Sequence, residues 1–421
     1  MFASMSSENV PVPPAGPIRP GAGTSMESAR HASWLELFFD LVAVAGVAQL
    51  AHLLHDAPPA GDLALYCVLY LAFWTAWMCF TTYGNVAAGT VHTRTVLMGM
   101  FGLAVMAAAV PEVRGEHART FALAYVLVRV VASRVWRGRG EVLADWPAAQ
   151  LTVGVLPWLV SLRVEGTGRY WLWAAGLAVD LGLTFAVSRN RMLAHARKEW
   201  GEHREEQKRR DGTAPVAARF DPRHLDERLG LFTLIVLGEG VAQGVEAASE
   251  AEWDRRLAVL AVGSFLLLLV LWSLSVRRSC GVPLLGSGVP APRFALPLHC
   301  VATGSLAALA ASLGGAMKHA EGPLPPGTHR LLCGSVAVFL AVGLIAGAAA
   351  GRGRLWVAAV GGPMVVVPVL LAVFADGWYP EGLVLALFAV ACWPLAYDNR
   401  IRRRTAPSRR GEEGRSGKED R

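Results

Sequence analysis

Long apolar stretches, separated by short polar or Gly/Pro-containing breaks, run along the chain from about residue 32 to residue 397. A bilayer core about 30 Å thick takes roughly 20 apolar residues in helical form. On that measure the pattern predicts twelve helices, at 32–54, 63–83, 96–112, 119–136, 148–163, 169–188, 227–246, 256–276, 294–317, 329–351, 355–375 and 379–397. The expected fold is all-α, a polytopic integral membrane protein. Residues 1–30 are rich in Pro, Gly and Ser and lack an apolar core, so they read as a disordered tail, not a cleaved signal. Residues 189–226 interrupt the apolar pattern with Arg197, Lys198 and Arg204 beside Glu199, Glu202 and Glu205, the mix of signs of a solvated helix. That segment links two six-helix halves, 31–188 and 227–398, and residues 399–421 form a basic tail.

Composition sharpens this reading. Of 421 residues 53% are hydrophobic and 17% charged, where a soluble domain carries about 25% charged residues, and mean hydropathy is +0.38. A soluble enzyme is excluded. So is a disulfide scaffold, because the six cysteines (Cys67, Cys79, Cys280, Cys300, Cys333 and Cys392) are scattered, mostly inside apolar runs. A net charge of +7 would suggest nucleic acid in a soluble protein. Here the basic residues fall in alternate connections: Arg134, Arg137 and Arg139, the 189–226 segment, Arg277 and Arg278, Arg352 and Arg354, and the tail from Arg400. The positive-inside rule then puts both termini in the cytoplasm of a cell-membrane protein. The opposite connections carry Asp56, Asp62, Glu246, Glu250, Glu252, Asp254, Asp376 and Glu381, with Arg255 and Arg256 as the exception.

The first and seventh helices echo one another. Leu35 to Gln49 and Leu229 to Gln243, aligned at an offset of 194, agree at eight of fifteen positions, including the Gly-Val-Ala-Gln ending. With six helices per half, the halves share orientation, the arrangement of a parallel repeat about an axis along the membrane normal. Phe73-Trp74-Thr75 against Leu271-Trp272-Ser273 adds a weaker echo.

Two segments carry a family resemblance. Arg30-His31-Ala32-Ser33-Trp34-Leu35-Glu36-Leu37-Phe38-Phe39-Asp40-Leu41-Val42, and His224-Leu225-Asp226-Glu227-Arg228-Leu229-Gly230-Leu231-Phe232-Thr233 running to Val236-Leu237-Gly238-Glu239, resemble the signature segments of the bacterial low temperature requirement A (LtrA) family. The likeness extends to the aromatic second helix, to Ala108-Ala109-Val110-Pro111-Glu112, to Arg129 in the fourth helix and to Asp180 in the sixth. Within it Phe39, His224, Glu227 and Gly238 stand as family-motif positions. The eighth helix departs from the family, reading Trp272-Ser273-Leu274-Ser275-Val276-Arg277 where an aromatic stretch with an acidic residue is usual. The resemblance implies a multi-pass membrane protein associated with growth in the cold and brings no settled chemistry.

Ionisable groups at bilayer depth cost about 2.5 to 3.5 kcal/mol each on insertion scales, so they face a bundle interior or an aqueous cavity. Glu36 and Asp40 lie four residues apart on one face of the first helix, near its basic end. In the seventh helix Arg228 and Glu239 fall about 20° apart on one stripe, which Gln243 continues. Gly238 and Gly240 flank Glu239 and allow close approach of another helix or a ligand. Glu239 is the first candidate for a working group; the competing reading has it neutralise Arg129, for which Asp180 also competes. Glu36 and Asp40 have loop arginines or Arg228 as expected partners, and Asp226 and Glu227 read as a helix cap and dipole partner.

Enzyme and metal motifs are absent: no HExxH, P-loop, GxSxG or paired cysteines at zinc spacing occurs. His52 and His55 sit at i and i+3 with only Asp56 nearby, His299 reads as a packed interior histidine, and Phe73, Trp74, Trp77 and Tyr83 read as core. The sequence therefore favours a transporter or channel for a small ion or solute, proton or cation coupled. Its binding groups would come from Glu36, Asp40, Arg129, Asp180, Arg228, Glu239 and Gln243. The expected partners are the lipid bilayer and that solute, with no cofactor, no metal, no nucleic acid, and homo-oligomerisation open. Two alternatives stand beside it: a membrane-embedded enzyme on a lipid or isoprenoid, using Glu36, Asp40, Glu227 and His224 together, or a structural or sensory protein with every charge paired.

Overall fold

The computed structural model describes residues 31–54, 58–87, 90–136, 139–202, 214–276 and 292–405. They form an all-helical bundle: α1 (Trp34–Ala51), α2 (Ala60–Ala87), α3 (Thr93–Ala109), α4 (Ala118–Arg134), α5 (Val155–Ser161), α6 (Gly168–Ala186), α7 (Arg189–Glu202), α8 (Pro222–Glu250), α9 (Arg255–Val276), α10 (Pro292–Lys318), α11 (Pro326–Ala349), α12 (Arg354–Phe374) and α13 (Pro380–Thr405). Local chemistry sets several of the boundaries. Ser33 and Glu36 make a reciprocal capping box at the start of α1, the Ser33 hydroxyl accepting from Glu36 N at 3.3 Å and Glu36 Oε2 accepting from Ser33 N at 2.8 Å. Gly377, in the left-handed region at φ 83°, turns the chain between α12 and α13.

Among the described residues eight helices are long and apolar enough to cross a membrane: α1, α2 and α8 to α13. The expectation of twelve crossings is met for these eight. Each of the other four predicted segments also contains a helix, but α3 and α4 have 17 residues each, and α6 is followed after a 95° bend by the polar α7. The greatest shortfall is at the fifth segment. Only Val155–Ser161 is α-helical there, preceded by a 3₁₀ turn at Pro147–Ala149 and by a two-residue strand, Glu141–Val142, that pairs in parallel with Val216–Ala217. Pro147 and the Gly154 break account for the truncation, since proline removes a donor and glycine weakens a helix. The linker is likewise more structured than a single solvated helix: α7 and the short strand occupy parts of it, and α8 begins at Pro222. Residues 1–30, the pair His55 and Asp56, and 406–421 lie outside the described residues.

Irregular backbone inside a membrane bundle is tolerated where protein groups satisfy it, and Arg129 does this for the segment before α5. Its Nη2 donates to the carbonyls of Ala148 (2.7 Å) and Leu151 (3.0 Å), and its Nη1 donates to Tyr125 Oη at 2.9 Å and to Asp180 of α6. Gln150 ties the same segment to Glu141 O and Leu143 N. Gly154 packs directly over the Asp180 carboxylate, where a Cβ would collide with it. Stacked Trp158 and Trp173, with centroids 5.0 Å apart, close the far side of this knot.

Ion pairs mark the two ends of the bundle. At the end where α1 begins, here the near face, Arg139 meets Glu141 (3.2 Å), Arg293 meets Asp145 (3.6 Å) and Arg352 meets Asp398 (3.4 Å). At the far face Arg114 meets Asp62, Lys318 meets Glu250 (3.9 Å) and His329 meets Asp376 (3.3 Å). α1 packs on α2, α3 and α8, while α8 packs on α9 and α10; α3 pairs with α4 as α10 does with α11, and α2 touches α6 as α9 touches α13. Glycines seat two of these crossings: the Phe73 ring of α2 lies against Gly46 of α1, and Leu268 of α9 lies against Gly240 of α8.

Arg129→Ala should strand the buried Asp180 and two backbone carbonyls, costing about 3 to 5 kcal/mol. Thermal unfolding in detergent should register a large fall in midpoint, and a fall no greater than that of Glu239→Gln would contradict this role.

Candidate functional site

The closest gathering of charge inside the protein lies between α1, α2 and α8 near the near face. On α1, Glu36 and Asp40 are one turn apart and both turn inward; on α8, His224 and Arg228 are one turn apart and turn to meet them. Arg228 engages Asp40 through two parallel bonds, Nε to Oδ2 at 3.0 Å and Nη2 to Oδ1 at 2.5 Å, while its Nη1 lies 3.2 Å from Glu36 Oε1. Asp40 and Arg228 are at most 1% exposed. A fork of this kind gives both strength and orientation, because guanidinium and carboxylate are planar and match.

α2 completes the shell. Trp77 Nε1 donates to Asp40 Oδ1 at 2.7 Å. Gly84 leaves room for Glu36, since a Cβ there would stand 2.8 Å from Oε1. Asn85 is held by the backbone of Asp221, accepting from its N–H and donating to its carbonyl, both at 2.9 Å. That orientation aims the amide Nδ2 at His224 Nδ1, 3.2 Å away. His224 Nδ1 therefore accepts, and the hydrogen-bond pattern assigns its proton to Nε2, which faces Glu36 at 3.4 Å. With the imidazole neutral, these four side chains set two carboxylates against one guanidinium.

Other candidates fall elsewhere. Glu227 turns away from the cluster and accepts from Ala32 N at 3.2 Å, with His31 at 3.5 Å, fixing the chain ahead of α1. The α8 cap is Asp221, which accepts from the backbone of Arg223 and His224, so Asp226 and Glu227 sit in its second turn and not at its start. Phe39 is buried against Phe80, with ring centroids 5.3 Å apart. Arg129 is paired with Asp180, and the alternative pairing with Glu239 is not formed. Glu239 is half-buried, its Oε1 accepting from Gln243 Nε2 at 2.8 Å, and has no cationic partner among the described residues. Gly240 supports close helix packing, whereas nothing lies within 4 Å of a Cβ built at Gly238.

His299 of α10 is an interior histidine. Its Nδ1 accepts from Trp74 Nε1 at 3.2 Å, and its Nε2 faces Leu229 O at 3.0 Å and Thr233 Oγ1 at 3.3 Å. It forms the floor of a cavity of about 360 Å³ between α8, α9, α10 and α11, walled by Trp272 and Phe339 and bordered by Asp226 and Glu227. Trp272 and Ser275, where the sequence departs from the family pattern, line it too. Phe73, Trp74, Trp77 and Tyr83 are all core. Among the described residues no group of three or more His, Cys, Asp or Glu is disposed to hold a metal ion.

Sequence reasoning placed Trp77 in the core but missed its bond to Asp40, and it missed Asn85, Asp221 and the Trp74–His299 bond. A lone amide, Asn85, two turns beyond Trp77 in an apolar helix was the available signal for two of them.

Arg228→Met should cost about 3 to 5 kcal/mol by leaving Asp40 and Glu36 facing each other unneutralised. Combining it with Asp40→Asn should lose less than the two single changes together, by about 0.5 to 3 kcal/mol. Strict additivity of the unfolding midpoints would contradict the pairing.

An uncharacterized protein of Rhizobium meliloti (strain 1021) is 28% identical over 253 residues, which is 57% of this chain and 57% of that relative. No solved structure matches. Residues 31–395 match the family described as Bacterial low temperature requirement A protein (LtrA), and the protein whose buried charges are described above belongs to that family.

Proposed function

We propose that this LtrA-family membrane protein is a transporter or channel for a small ion or solute, proton or cation coupled, with its path running along α8 between two six-helix halves. The observation that carries the proposal is Glu239: a carboxylate midway along a membrane helix, half-buried, flanked by glycine on both sides and bonded, among the described residues, to Gln243 alone. An acid at bilayer depth with no counter-charge is costly to retain, and exchange of a proton or cation at that position is a function that accounts for the cost. The cavity above His299 is lined on α8 from Asp226 to Leu234, and Glu239 stands about 8 Å further along the helix, on the face that carries Arg228. Asp226 and Glu227 at its border favour entry of a cation.

Several features support the two-half plan. Equivalent helices keep equivalent neighbours, α1 with α2 and α3 as α8 with α9 and α10. The glycines that match in the aligned sequences, Gly46 and Gly240, each receive a side chain from the helix that follows. In this reading α3 to α6 are the shorter members of the first half. The near face, with Arg134, Arg139, Arg352 and Arg354, is cytoplasmic in the cell membrane, and both termini lie there. The closed Asp40–Arg228 cluster acts as the latch between the opening helices of the halves, not as the transported ion's seat.

Two other readings remain comparisons for experiment. An interfacial enzyme would need Glu36, Asp40, Glu227 and His224 on one accessible surface, yet Asp40 and His224 are fully buried and Glu227 faces away. A purely structural protein would leave Glu239 unexplained. In proteoliposomes loaded with pH- and potassium-sensitive dyes, wild type should carry flux under an imposed voltage, and Glu239→Gln should fall to the level of protein-free liposomes with its unfolding midpoint nearly unchanged. Equal flux in both proteins would remove Glu239 from the path. No flux in either, across protons, potassium and sodium, would overturn transport.

A further inference from the structure

On the opposite side of α10 from His299, a second and larger cavity of about 650 Å³ lies between α2, α10 and α11 towards the far face. We propose that it binds one acyl chain of an anionic phospholipid, with the headgroup on Arg330. The argument begins with what the walls present. Their polar atoms are occupied within the protein: Tyr66 Oη donates to Gly304 O and Tyr70 Oη to Thr303 Oγ1, both at 2.7 Å, while the Ser305 and Ser335 hydroxyls donate at 2.7 Å to Ala302 O and Leu331 O of their own helices. A polar solute would meet no free hydroxyl donor among them. A hydrocarbon chain would lose nothing and would cover apolar surface.

The groove has a built shape as well as a surface. Gly304 is required by the Tyr70 ring, which would stand 2.9 Å from a Cβ at that position. Gly334 on the facing helix α11 has nothing within 4 Å of its Cβ direction, so the groove is open there. At the rim, in the first turns of α11, stands Arg330, exposed and without an ion pair among the described residues, whereas its neighbour His329 is engaged by Asp376. A cationic side chain at the membrane boundary, at the mouth of a hydrocarbon-like groove, is complementary to a phosphate headgroup with its chain inserted.

Native mass spectrometry of the full-length protein in detergent, with phosphatidylglycerol and phosphatidylcholine of matched chains, tests this. Wild type should retain phosphatidylglycerol about fivefold better, the size of one basic side chain's contribution against anionic lipid. Arg330→Gln, a rim change that leaves the core untouched, should retain both lipids equally. Gly334→Phe should fill the groove and release both, in a protein that remains monodisperse. An undiminished preference in Arg330→Gln, or retention in Gly334→Phe equal to wild type, would overturn the proposal. So would displacement of phosphatidylglycerol by inorganic phosphate, which would assign Arg330 to a free anion.

Discussion

The fork between Asp40 and Arg228 is the constraint around which the rest is arranged. Neither charge can stay inside the bundle alone, because a buried ion unpaired costs several kcal/mol. The pair fixes the rotation of α1 and α8 about their own axes, since each side chain must point at the other. It also fixes their axial register, because Glu36 and His224 one turn away must meet as well. α2 is drawn in by Trp77 and Asn85. Three helices that share no long sequence contact are thereby set to within a side chain's tolerance, and the apolar packing of the remaining helices builds outward from them.

A second polar knot, Arg129 with Asp180, does for α4 and α6 what the fork does for α1 and α8. The two differ in kind. The fork joins two regular helices, whereas Arg129 substitutes for missing helix by bonding carbonyls that a continuous α5 would have satisfied itself. Each knot keeps polar groups away from lipid, and Glu239 stands out because no such knot encloses it among the described residues.

Much of this was legible in the sequence, for reasons of period and charge. Apolar runs bounded by Gly and Pro located the helices, and the positions of Glu36, Asp40, Arg129, Asp180 and Arg228 in those runs marked every buried charge that proved central. The partners were harder. Spacing reveals which residues share a helix face, but not which helix that face meets, so the sequence left Arg129 between Asp180 and Glu239 and left Asp40 with several arginines. Pro147 and Gly154 were the available signal for the truncation of α5, overlooked because an apolar composition suits buried irregular backbone as well as helix. Asp221-Pro222 is a helix-start signature, passed over because the first turn of α8 lies in the polar segment ahead of the apolar run.

The fork also has a history within each molecule's synthesis. Asp40 and Arg228 are separated by 188 residues, so at about 5 to 20 residues per second the carboxylates of α1 wait for roughly 10 to 40 s before their guanidinium leaves the ribosome. Arg129 waits for only 51 residues to reach Asp180. The Arg129–Asp180 knot can therefore settle while α8 is still unmade, but the burial of α1 waits for α8. Assembly of the bundle therefore has an order imposed by the chain, the Arg129–Asp180 pair first and the Asp40–Arg228 pair second.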